Sequence, residues 1–255
     1  MPIPDPVPFL LVLARLGGLV LAAPVFGHAL VPVRVRAALA GVLAVVLTPA
    51  ITPAHPLPTT LWGLAGAAAV ETALGALIGF VAQLVFAGVA LGGQLAGIQM
   101  GFGLANLVDP STHAQVTIIA EWEQFVALVV FLVLDVHHLL LQAVLASFRV
   151  APPGGVVLAG AGLQTVFDIA GDVFGVGVRI AAPVLIVLLM TNAALGVLAR
   201  TIPQLNVFVV GFSVNVGVGL VVLGASLPFT VRLLAGRFGG LEPALDQLVR
   251  GLVRG

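Results

Sequence analysis

Residues 72–108 carry no charged side chain, and neither do residues 37–70, 180–199 and 201–231. A helix needs about 20 predominantly apolar residues to cross about 30 Å of hydrocarbon. In lipid every backbone N–H and C=O must be satisfied within the structure, so such runs fold as helices or close as barrels. The strict alternation of a barrel strand is absent, and the runs are too long for one. The expected fold class is therefore all-α: a polytopic membrane protein of long hydrophobic helices.

Composition agrees. The chain is 60% hydrophobic and 8% charged, against about 25% charged for an ordinary soluble domain, and its mean hydropathy is +1.22. All ten basic residues are arginine, balanced by ten acids. A net charge of zero gives no footprint for nucleic acid. The absence of cysteine removes disulfides, thiolate metal sites and a thiol nucleophile. The first nine residues contain Asp5 and four prolines and lack a positive n-region, so the N-terminus is expected to be retained.

The pattern predicts helices over 8–23, 35–51, 59–90, 92–106, 112–148, 160–199 (with a break near 171–177) and 205–230, then an amphipathic helix at 241–252. We treat residues 1–255 as one domain, with 232–255 as a short amphipathic tail. Pro49, Pro53, Pro56 and Pro58 make a stiff linker, and Pro152-Pro153-Gly154-Gly155 ends a helix. Glycines four apart (Gly75 with Gly79, Gly88 with Gly92, and Gly93, Gly97 and Gly101 in series) let helix backbones approach closely in an apolar medium. The basic turn Arg34/Arg36 and the arginines from Arg232 onward belong on the cytoplasmic side by the positive-inside rule.

Little here resembles catalytic chemistry. His137 and His138 are the most tempting metal ligands, but adjacent helical residues point about 100° apart, so they are expected to pack rather than share an ion. Glu121-Trp122-Glu123 beside His113 could be a proton relay; the blander reading is a solvated connection rimmed by an interfacial Trp. No hydrolase elbow, metalloprotease motif or tyrosine is present, and no metal site, cofactor or enzyme activity is expected.

Two segments are not explained by composition. The first runs from Gly97 through Gln99, Met100, Gly101, Phe102, Gly103, Leu104, Asn106, Leu107 and Val108 to Asp109-Pro110 and His113. It reads as a glycine-hinged apolar loop. Gly97, Gly101 and Gly103 supply backbone freedom, and Phe102, Leu104, Leu107 and Val108 supply bulk. Asp109 as N-cap and Pro110 at the first helical position start the next helix. The second runs from Arg179 through Pro183, Asn192 and Gly196 to Arg200, Pro203, Gln204 and Asn206. An arginine at mid-bilayer costs about 2.5–3.5 kcal/mol on insertion scales, so Arg200 is expected at a water boundary or against protein.

Together with Arg15, Pro24, Pro32, Arg34, Glu71, Gly75, Gly79, His137-His138, Ser147-Phe148, Pro152 and Gly154, these segments resemble the FliR family of flagellar export-gate subunits. The virulence-system counterpart of that family is SctT/SpaR. The likeness spans nearly the whole chain. It departs at Asp135-Val136, where the family usually has a polar residue then Gly, and at Ser213, where Pro is usual. Pro203-Gln204-Leu205-Asn206 followed by Val-Phe favours the flagellar branch over the injectisome one.

The resemblance implies a channel-forming structural subunit of the type III export gate, in which the long hydrophobic helices include broken helical hairpins that assemble with partner subunits. It would sit in the flagellar basal body of the bacterial inner membrane and assemble with FliP and FliQ, with FlhB associated. Unfolded flagellar proteins would pass through it. Residues 102–115 would be the channel plug, supported by Gly97, Gln99, Met100 and Gly101, while Arg200, Pro203, Gln204 and Asn206 would act between subunits or structurally. A small-molecule secondary transporter is the competing class; it calls for an intramembrane coupling carboxylate and internal symmetry, neither evident here.

Overall fold

A computed structural model describes residues 5–27, 31–51, 57–104, 117–155, 160–202 and 206–253. Among them no strand occurs. Eight helices follow one another: α1 (Pro6–Ala22), α2 (Val33–Leu47), α3 (Leu61–Met100), α4 (Ile118–Val133), α5 (Val136–Val150), α6 (Gly160–Thr201), α7 (Val207–Gly239) and α8 (Leu241–Val253). Short 3-10 turns occupy Thr48–Ala50 and Phe102–Leu104. Among the described residues four segments are long and apolar enough to cross a membrane: Val33–Ala50, Leu61–Met100, Gln164–Thr201 and Val209–Gly251. The α4–α5 pair makes a fifth if counted as one broken span.

Several expected boundaries are corrected. The predicted break between 90 and 92 is absent, and α3 is a single helix of 40 residues ending at Met100. Its glycines are contact points, not breaks. A Cβ on Gly88 would press on Val176 of α6, one on Gly92 on Gly177 and Ile180, and one on Gly93 on the Ala120 backbone of α4. The expected break near 171–177 is likewise absent, because α6 continues for 42 residues. With no water competing for its carbonyls, a helix in an apolar setting tolerates glycine that would fray one in solution. Conversely, the single helix predicted over 112–148 is two. Asp135 adopts φ 53°, the left-handed region that Asp enters more readily than most residues, and α4 stops before it. Helix α7 carries its arginines Arg232 and Arg237 through to Gly239, so the terminal amphipathic element begins at Leu241.

The chain forms two compact units. The first comprises residues 1–84, 132–170 and 238–255. Its core holds Leu11, Leu16 and Leu19 of α1, Leu74 and Ile78 of α3, and Leu140 and Val144 of α5, all essentially inaccessible. Helix α8 is amphipathic, burying Leu241, Leu245, Leu248 and Val249 while Glu242, Asp246 and Arg250 face outward. The second unit comprises residues 85–131 and 171–237. There Ala96 and Met100 of α3, Ile119 of α4, Val184 and Leu188 of α6 and Leu223 of α7 form one buried cluster.

Candidate functional site

A tightly built polar constellation lies in the first unit. Arg15 of α1 is fully buried, 0% exposed, and Glu71 of α3 is 1% exposed. Arg15 Nε donates to Glu71 Oε2 at 2.5 Å, Nη1 to Ser147 Oγ of α5 at 2.8 Å, and Nη2 to the Ala151 carbonyl at 2.9 Å. The Gly154 N–H donates to the other Glu71 oxygen at 3.0 Å. The guanidinium also lies 4.0 Å from the Phe148 ring centroid, a cation–π geometry. One ion pair thus ties three helices and the Pro152–Gly155 turn together.

The sequence makes this crossing possible through small residues. A Cβ on Gly75 would overlap the Arg15 carbonyl oxygen, and one on Gly18 would overlap that of Thr72. Only glycine lets α1 and α3 approach until Arg15 and Glu71 meet. Gly154 has φ 81°, which turns its N–H toward Glu71. Sequence reading singled out these residues without assigning them the pairing. The signal was present: Arg15 and Glu71 are lone charges in apolar helices, and such charges pair or cost heavily.

In the second unit the segment expected to hinge is more firmly held than anticipated. Gly97 lies inside α3, where its missing side chain admits Thr117, so it confers contact rather than freedom. Met100 is wholly buried, and Gln99 is half-buried. The turn is made at Gly101, with φ 102°, its N–H donating to the Ile98 carbonyl at 3.0 Å, and a Cβ there would press on the Phe212 ring of α7. Gly103 does not share the positive φ. Phe102 packs on the cluster around Met100.

Asn106, Leu107, Val108, Asp109 and Pro110 lie outside the described residues, as do His113 and the proposed Asp-Pro cap. The chain resumes at Thr117, whose N–H donates to Gln94 Oε1 at 2.9 Å and whose Oγ1 accepts the Ala120 N–H at 3.3 Å, capping α4. Both described ends of the loop therefore rest on the same stretch of α3.

The remaining candidates scatter. Arg200 is exposed near the end of α6, Pro203 and Gln204 lie outside the described residues, and Asn206 caps α7 through Oδ1 accepting the Val209 N–H at 3.4 Å. Asn215 Nδ2 donates to Asn192 Oδ1 at 2.9 Å, joining α6 to α7. Glu121 and Glu123 fall within α4, not in a solvated connection, and Glu123 is 2% exposed. The imidazoles of His137 and His138, expected to diverge, have centroids 4.2 Å apart and planes tilted by 37°. Both belong to the first turn of α5, and the left-handed Asp135 brings its carboxylate back toward them.

Comparison with known proteins decides the family. The model for bacterial export proteins, family 1, matches residues 7–241. The chain belongs to the FliR family of bacterial export proteins. It is 32% identical over 240 residues to the flagellar biosynthetic protein FliR of Escherichia coli (strain K12), covering 94% of this chain and 92% of that protein. It is 33% identical over 220 residues to FliR of Bacillus subtilis (strain 168), covering 84% of each, and 30% identical over 218 residues to FliR of Caulobacter vibrioides, covering 85% and 87%. The family match takes in both the Arg15–Glu71 pair and the Gly101 turn.

Proposed function

We propose that this chain is a structural, channel-forming subunit of the flagellar protein export gate in the bacterial inner membrane, and that it is not an enzyme. Its partners would be FliP and FliQ, with FlhB associated, and its cargo unfolded flagellar proteins. The observation that carries the reading is the length of exposed apolar helix. On α6, Phe167, Phe174, Ile186, Leu189, Met190, Val197 and Leu198 are all exposed. At 1.5 Å per residue they extend over roughly 45 Å, whereas hydrocarbon covers about 30 Å. A tilt up to about 40° does not absorb the difference. Even at that tilt about 5 Å of the face lies past the hydrocarbon, and partner helices would cover it.

The FliR relatives supply the context: their name assigns them to flagellar biosynthesis, and the family is one of export proteins. Within that reading, residues 102–115 would plug the channel, hinged at Gly101 and bounded by the anchored Thr117. Deleting residues 104–108 in the assembled complex is expected to raise resting ion permeability of reconstituted vesicles while leaving assembly intact. A deletion complex whose conductance equals that of the parent would reject the plug.

A further inference from the structure

We propose that Asp135, His137 and His138 form a binding site for a divalent first-row transition-metal ion of the Zn2+ class. One ligand atom from each residue lies within 4.8 Å of the other two. His138 Nδ1 is 3.4 Å and His137 Nε2 is 3.9 Å from Asp135 Oδ1. Zinc–nitrogen and zinc–oxygen bonds of about 2.0–2.2 Å put two ligands of a tetrahedral ion about 3.4 Å apart. The Asp135–His138 pair already has that spacing; His137 must close on Asp135 by about half an ångström, with all three atoms starting within 4.8 Å of one another.

The side chains have room to make it. Asp135 is 71% exposed, His138 63% and His137 26%. The open side leaves a fourth position for water, as in zinc sites with three protein ligands. Two imidazole nitrogens with one carboxylate suit Zn2+, Co2+ or Ni2+ better than Ca2+ or Mg2+, which prefer all-oxygen shells. The positive end of the α5 dipole opposes a cation here, and the Asp135 carboxylate at the N-cap offsets it. A bound ion would fix the first turn of α5.

The test uses the full chain without a polyhistidine tag, purified in detergent and stripped with chelator. After incubation with Zn2+ at mildly alkaline pH and desalting, the parent is expected to retain one equivalent per chain. His138→Ala and Asp135→Asn are expected to retain none. Asn tolerates the left-handed backbone at 135, so that variant removes the carboxylate while keeping the turn, and an unchanged thermal transition of the zinc-free protein confirms that it folds. Co2+ should give visible d–d absorption in the parent and lose it in both variants. The proposal is overturned if the parent retains no zinc, or if both variants retain as much as the parent.

Discussion

Replacing Arg15 with Leu is expected to lower the stability of the chain by about 3–5 kcal/mol, because it strands the buried Glu71 carboxylate without its countercharge. Ser147 Oγ and the Ala151 carbonyl lose a donor in the same step. Glu71→Leu should cost a similar amount by stranding the guanidinium. The double variant Arg15→Met/Glu71→Leu is expected to recover most of the loss, since a well-packed apolar pair of similar volume often replaces a buried ion pair at little cost. Thermal transitions of the detergent-purified chain, run for parent, both singles and the double, measure this. A double variant as unstable as the two singles combined would mean that the pair is not a coupled unit.

The second large effect separates two neighbouring glycines. Gly18→Ala places a methyl against the Thr72 carbonyl, and a backbone atom cannot rotate aside. The α1–α3 crossing must open, which costs at least the 1–3 kcal/mol or so of ordinary overpacking and also loosens the Arg15–Glu71 contact. Gly17, one residue earlier, has nothing within 4 Å of its would-be Cβ. There the better helix propensity of alanine, roughly 1 kcal/mol, makes Gly17→Ala neutral to stabilising in the isolated chain. Equal losses at the two positions would show that helix propensity, not close approach, governs α1.

These contrasts mark what was legible in the sequence. That the long apolar segments are helical followed from charge-free runs, because the lack of solvent hydrogen bonds in lipid leaves few alternatives. Their division did not, since two helices were expected where α3 runs unbroken and one where α4 and α5 are separate. Glycine was harder to read. A helix end was expected after residue 90, yet Gly92 and Gly93 sit inside α3, where Ile180 of α6 and Ala120 of α4 lie against them. The spacing of four, read as a mark of close helix approach, carried the correct information. At Asp135 the error ran the other way: nothing in an aspartate announces φ 53°, so one helix was expected where there are two.

The candidate site was visible only in pieces. Arg15, Glu71, Ser147 and Gly154 are far apart along the chain, and their meeting depends on α1, α3 and α5 packing together, which no local pattern encodes. The loop was legible as apolar and glycine-bounded. Its anchoring through Gln94 and Thr117 was not, because a single Gln–backbone hydrogen bond leaves no periodic trace.

The central claim is that this chain completes its apolar surface with partner subunits of the export gate. Native mass spectrometry of the material purified through this chain, after co-expression with FliP and FliQ, tests it most directly. The account predicts a discrete assembly containing the 25.9 kDa chain together with whole numbers of both partners. A monodisperse species at 25.9 kDa, with a thermal transition that FliP does not change, would contradict it.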